Sequence, residues 1–325
     1  MSATDTYINA GAAGADGPAP ACPACGGPLD GPVLLAGPDR LHGKPGHFSV
    51  IRCAGCGLAS TVPRLGLEDF AEYYPETYHA YEPLPEQRRR RGLGRLRGLG
   101  IVNHLRLEAV LRLGPYRPLF RRGPGRLLDV GCGTGDLALA FDRHGWSVAG
   151  VEPSAAACTH AVAAGMEVHN GTLDDHPWQP ASFDAVVFNH SLEHIPDPLD
   201  ALRRAADVVK PGGMVAVAVP NFGAWHRRAF GPLWYQLDLP RHLQHFDGDS
   251  LAGLMRRAGL RPVATTTASM RPSLLMSLQY VLFGRARLTG RPMRLITWAA
   301  TPLILLIDRF AAGDCVHVFA VRDDA

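Results

Sequence analysis

The chain has 325 residues, 46% of them hydrophobic, a formal net charge of +3 and seven cysteines. So much apolar material suits one large α/β domain with a smaller companion, and a charge so near neutral gives no electrostatic case for a nucleic-acid partner. No run reaches the roughly eighteen apolar residues of a membrane-spanning helix. Residues 1–20, rich in Ala and Gly, lack the regions of a signal peptide, so a disordered tail on a cytoplasmic protein with reduced cysteines is expected.

Residues 21–62 carry the first motif. Cys22 and Cys25 in CPACGG, and Cys53 and Cys56 in CAGCGL, form two C-x2-C pairs separated by twenty-seven residues. Thiolates so spaced, on turns relaxed by glycine, supply four ligands to tetrahedral zinc; two disulfides are the alternative, disfavoured in a reducing cytosol. A closed four-cysteine site leaves no coordination position for a substrate, so the expectation is a structural Zn2+ in a zinc-ribbon-like unit. Cys132, Cys158 and Cys315 read as small buried residues.

Residues 63–125 read as a helical linker or lid region. Within it FAEYYPETYHAYEP, Phe70 to Pro83, suits either a lid over a site or cover for a domain junction. Arg88 to Arg91, with Arg95 and Arg97, form a basic run that reads as a solvated face or as a contact to phosphates or anionic lipid.

Next comes LLDVGCGTGD, Leu127 to Asp136, where an apolar run ends in Asp129 and Gly131, Gly133 and Gly135 follow at alternate positions. Glycine tolerates positive φ and lacks a Cβ, so the chain can leave a buried strand, fold tightly over a nucleotide and start a helix. Dinucleotide-binding domains read G-x-G-x-x-G, a different spacing. VAGVEPS, Val148 to Ser154, predicts a second strand ending in Glu152, placed to accept ribose hydroxyls. Ser154 caps a helix over Ala155 to Ala164 that Gly165 ends, and Met166 to His169 form a short third strand.

FDAVVFNHSLEHIPDP, Phe183 to Pro198, predicts a fourth, fully buried strand and a helix start. Asp197 caps that helix, Leu199, Leu202, Ala205 and Val209 repeat at helical spacing, and Pro211 ends it. Pro211 to Asn221 is a fifth strand, Arg261 to Thr267 a sixth and Cys315 to Arg322 a seventh.

An acid followed by G-x-G-x-G, with Glu152 downstream, resembles the first motifs of class I S-adenosylmethionine (SAM)-dependent methyltransferases, and the likeness extends over Arg126 to Asn221. It implies a Rossmann-like seven-stranded α/β sheet with helices on both faces, and SAM as cofactor. Carried over residue by residue, the SAM site would use Asp129, Gly131, Cys132, Gly133, Gly135, Glu152, Pro153, Thr172, Leu173 and Asn189. Many relatives have G-D-A after the third strand; here Gly171, Thr172 and Leu173 stand there, with Asp174 as a substitute for the adenine contact.

Positioning supplies most of the catalysis of methyl transfer, and a base helps. His190, Glu193 and His194 follow the fourth strand, at the sheet end where ligands bind. Some quinone-pathway relatives have a similar L-E-H segment implicated in divalent metal binding, which leaves Mg2+ as an option. The resemblance to ribosomal RNA enzymes with a zinc finger before a SAM domain raises an RNA methyltransferase as an alternative. Against it, Asn189 to Leu192 replace the N/D-P-P-Y motif of enzymes that methylate base amines.

WYQLDLPRHLQHF, Trp234 to Phe246, resembles segments of bacterial methyltransferases of this type, which implies a substrate-facing role for Tyr235, Asp238 and Arg241, with His242 or His245 orienting or deprotonating the acceptor. The expected layout is a core over 126–268 with a substrate loop at 222–246, an apolar helical insertion at 269–313, and the last strand at 314–325. Residues 274–308 read as core, homodimer interface, entrance for a lipid-linked acceptor, or a membrane-surface contact. The sequence thus predicts methylation of an oxygen or carbon of a small molecule, with a non-catalytic SAM-binding sensor as the other alternative.

Overall fold

A computed structural model describes residues 19–65, 72–74, 114–285, 290–308 and 312–323. The 1–18 tail, the arginine run and most of the Phe70 to Pro83 segment lie outside the described residues. By contact the chain forms two units, one of Met1–Tyr74, Pro220–Ser250 and Ala268–Cys315, the other of Pro75–Val219, Leu251–Thr267 and Val316–Ala325.

The second unit is built on a seven-stranded sheet. Its strands are β4 (Arg126–Val130), β5 (Ser147–Glu152), β6 (Glu167–Asn170), β7 (Phe183–Asn189), β8 (Val209–Pro220), β10 (Leu260–Ala268) and β11 (Cys315–Arg322), in the order β10-β11-β8-β7-β4-β5-β6. The pairs β4–β5, β5–β6, β4–β7 and β7–β8 are parallel. Near-continuous apolar runs such as Ala185 to Phe188, all fully buried, are what a strand covered on both faces requires.

From β4 to β6 the chain steps one way across the sheet; β7 and β8 step the other way. The short helix α1 (Arg117–Phe120) precedes β4, and right-handed crossovers then put α2 (Asp136–Asp142) and α3 (Ala155–Ala163) on one face and α4 (Pro198–Val208) on the other. The reversal lies between β4 and β7, whose carboxyl ends carry the glycine turn and Asn189–His190.

Local chemistry sets the helix ends. The Ser154 side chain accepts from Ala157 N–H, and Asp197 accepts from Asp200 N–H, with Pro198 in the first turn. Several boundaries shift by one or two residues from expectation. Helix α4 stops at Val208, because Val209 is extended (φ −78°, ψ 140°) and pairs with Phe183, so β8 starts two residues before Pro211. Strand β6 runs over Glu167–Asn170, in register with Ala149–Glu152, one residue later than expected.

The first unit holds the cysteines and an antiparallel sheet of β1 (Val33–Gly37), β2 (Phe48–Arg52), β3 (Ala59–Val62) and β9 (Gln244–His245), in that order. Phe48, Val50 and Ala59 share a core with Tyr73, Phe222, Trp234, Leu237 and Leu239. Residues 222–246 and most of 269–313, expected as a loop and an insertion of the core, therefore fall by contact with the cysteine unit. That unit also contains α5 (Trp225–Phe230), α7 (Arg271–Phe283) and α8 (Gly290–Asp308); α6 (Gly248–Arg257) leads from it to β10. Among the described residues no helix is long and apolar enough to cross a membrane.

Candidate functional site

The glycine turn joins β4 to α2. Gly131, Gly133 and Gly135 take φ of 71°, 52° and 82°, the left-handed region that side chains disfavour. A Cβ on Gly131 would meet Ser191 Cβ at 2.6 Å, and one on Gly150 would meet Cys132 Sγ at 2.5 Å. Ser191 Oγ donates to Val130 O at 2.5 Å, locking the segment after β7 against the end of β4.

Glu152 closes the turn from β5. Its Oε2 accepts from Gly133 N–H and its Oε1 from Ser154 N–H, both at 2.9 Å. Burial raises its pKa, while these two N–H groups and the His194 charge pull it back. Asp129 is fully buried; burial and the Glu152 charge push it up to about 7, although Ala138 N–H donates to it. One Asp129 oxygen, Oδ1, has no hydrogen-bond partner. An orphaned buried carboxylate oxygen, a side-chain-free turn and a second carboxylate at the next strand end fit a cationic, ribose-bearing ligand such as SAM.

The other expected cofactor residues divide. Burial drives the Cys132 thiol far above its usual pKa, so this side chain is packing, under Gly150. Leu173 is buried and Pro153 and Thr172 are exposed. Thr172 Oγ1 accepts from Asp174 N–H at 3.1 Å, and Asp174 pairs with Arg204 at 2.9 Å.

Beyond β7, Asn189 Oδ1 accepts from Tyr116 O–H at 2.5 Å. His190 has φ 54°, uncommon for a non-glycine residue, and its Nδ1 lies 3.4 Å from Glu193 Oε1. The Glu193 side chain is 1% exposed and the His190 side chain 27%, so the buried carboxylate orients a ring that reaches solvent. His194 closes the short helix Leu192–His194. Tyr116 packs edge-on against His317, which burial and the His190 charge push down to about 3. Tyr116, Ser191 and His317 were not legible as site residues. Tyr116 and His317 lie outside the motifs, and Ser191, though inside the segment after the fourth strand, carries no spacing signal of its own; only pairing in space reveals them.

Within the first unit the 234–246 segment is held by its own network. Arg241, with no exposed surface, donates from Nη2 to Asp39 Oδ1 at 2.7 Å and to Asp238 Oδ1 at 2.6 Å. The negative groups it meets are thus two carboxylates of the chain itself. Thr61 O–H donates to His242 O at 2.6 Å, so its lone pair accepts from His245 Nε2–H at 2.9 Å. His242 Nδ1 is 2.9 Å from Gln236 O, which requires a proton on Nδ1 and leaves Nε2 as the basic nitrogen. Tyr235 and Asp238 line a recess with Arg40, Trp234 and Tyr280, and burial pushes the Tyr235 phenol up to about 12.

The four motif cysteines are not in disulfides, and their sulfurs lie within 4.8 Å of one another. Cys22 and Cys56 approach to 3.5 Å, as do Cys25 and Cys53. A tetrahedron with Zn–S of about 2.3 Å has edges of about 3.8 Å, close to this. The two turns match: Gly26 N–H donates to Cys22 O and Gly57 N–H to Cys53 O, with both glycines left-handed. Gly27 N–H lowers the Cys25 pKa to about 7, easing formation of a thiolate ligand. The donor set and its spread fit Zn2+.

A family model described as a methyltransferase domain matches residues 101–265, half of the chain. The chain therefore belongs to the methyltransferase-domain family, with the class I SAM-dependent fold. It is 36% identical over 157 residues to a ubiquinone biosynthesis O-methyltransferase of Sodalis glossinidius, covering 46% of this chain and 61% of that one. A protein of the same name from Cronobacter sakazakii is 36% identical over 133 residues, covering 34% and 55%. The match thus spans little more than half the length of these relatives. Among solved structures, a possible histamine N-methyltransferase of Thermotoga maritima is 22% identical over 68% of this chain and 89% of that one, with a TM-score of 0.46.

Proposed function

We propose that the protein transfers a methyl group from SAM to a hydroxyl oxygen of a small, largely apolar acceptor. The observation that carries this reading is the His190–Glu193 pair, placed just after β7 at the reversal of strand order that also presents the glycine turn. SAM supplies an electrophilic methyl carbon on a sulfonium. Glu193 Oε1, 3.4 Å from His190 Nδ1, would favour the tautomer protonated at Nδ1, so that Nε2 would be the basic nitrogen able to take the hydroxyl proton of the acceptor during transfer. Asp129 and Glu152 bind the amino and ribose groups of the donor, and Asn189, fixed by Tyr116, lines the same end of the sheet. The names of the curated relatives support oxygen as the acceptor atom and a quinone precursor as its class.

His242 and His245 are positioning residues in this reading, since their ring nitrogens engage Gln236 and Thr61. Arg241 is a clamp, and Tyr235 and Asp238 are the members of that segment that face a recess. Cys22, Cys25, Cys53 and Cys56 hold a structural Zn2+. The deciding experiment titrates SAM by calorimetry and follows labelled methyl transfer to alkyl-substituted catechols. SAM binding with transfer abolished in His190→Ala supports the assignment. SAM binding with no methylated product from any phenol would make the protein a sensor, and full turnover in His190→Ala would remove the base.

A further inference from the structure

The helix pair α7 and α8 is built inside out. On α7 the buried positions are polar: Ser273, Ser277, Gln279 and Tyr280 are 1%, 0%, 5% and 4% exposed. Ser277 Oγ accepts from Tyr235 N–H and donates to Ser273 O, while Gln279 Nε2 reaches Met293 Sδ of α8 at 3.6 Å. The outward positions are apolar: Leu278, Val281 and Leu282 are 40%, 51% and 69% exposed. On α8, Met293 and Ile304 face inward, whereas Leu295, Trp298 and Leu306, a row at helical spacing, are 69%, 66% and 57% exposed. In water such a row loses the hydrophobic stabilisation that burial would give it, and contiguous patches of this kind mark interaction surfaces.

Charge identifies the occupant. From Arg271 to Ile307 the sequence holds five arginines and no Asp or Glu, and Arg285, directly after α7, is exposed. A protein partner or a second copy would present acids and bases alike; an anionic lipid surface combines an apolar layer with negative headgroups. Neither helix can cross a bilayer, so both would lie along it, with Trp298 at the level of the headgroups. We propose that the outer face of α7 and α8 rests on an anionic membrane surface. This stands independently of the acceptor assignment above.

The test floats the full-length protein with vesicles of phosphatidylcholine alone and of phosphatidylcholine with phosphatidylglycerol, and measures its mass in solution by light scattering. The protein should float with the anionic vesicles, far less with the neutral ones. High salt and the solvent-facing substitutions Leu282→Glu and Trp298→Glu should each weaken binding about tenfold, with circular dichroism and SAM binding unchanged. The proposal is overturned if the protein stays in solution with anionic vesicles. It is equally overturned if it is a dimer that Trp298→Glu dissociates, since a second copy then covers the face.

Discussion

Gly131 shows how a single residue sets the chemistry of the turn. Its φ of 71° and the 2.6 Å approach a Cβ would make to Ser191 leave no room for alanine. Gly131→Ala should abolish SAM binding in a calorimetric titration while the protein still folds. Asp129 makes a pH-dependent prediction. The folded chain raises its pKa from 3.8 to about 7, so the folded state holds this proton more tightly than the unfolded state. The resulting stability is present below the unfolded value and is lost as pH rises through about 7. Asp129→Asn should therefore raise the Tm at about pH 8, leave it unchanged near pH 4, and weaken SAM binding because a cation loses its carboxylate. A Tm for the variant that matched wild type at both pH values would contradict the burial argument. Asp129, the glycines and Glu152 were legible in sequence because one turn and one strand offset bring them together. Tyr116 was not, because its partner Asn189 lies 73 positions away.

At the scale of elements, the pairing of β3 with β9 rests on few contacts. Ala59 and Ser60 face His245 and Gln244, and Thr61 ties the two segments through His242 O and His245 Nε2. Thr61→Val removes both hydrogen bonds without changing shape, and should lower stability by about 1–3 kcal/mol in denaturant unfolding. Arg241→Met keeps the volume and leaves the carboxylates of Asp39 and Asp238 buried without their cation, so a larger loss of about 3–5 kcal/mol is expected. Helices α3 and α4 could be read from their caps and apolar spacing. Strand β9 could not: two residues carry no period, and the strand they pair with lies some 185 positions earlier.

For the whole molecule, the four cysteines predict about one zinc per chain by mass spectrometry, and a chelator should lower the Tm of the intact protein. Acid should act too. His226 and His317 are pushed down to about 4 and about 3 by burial, so the unfolded chain binds their protons first. Their contribution is present above the ordinary histidine value and is lost as pH falls through it toward those lower values. The Tm should therefore drop below about pH 6, and His317→Gln should flatten that limb. The sequence by itself determined the class of the core sheet, the glycine turn and the cysteine quartet, because each is written in local spacing that a strand, a turn or a knuckle reads directly. Only the tertiary structure decided that residues 222–246 complete the sheet of the cysteine unit, that Arg241 faces two acids of its own chain, and that α7 and α8 turn their apolar sides outward. Those outcomes depend on pairings across long stretches of sequence, which no local pattern of residues encodes.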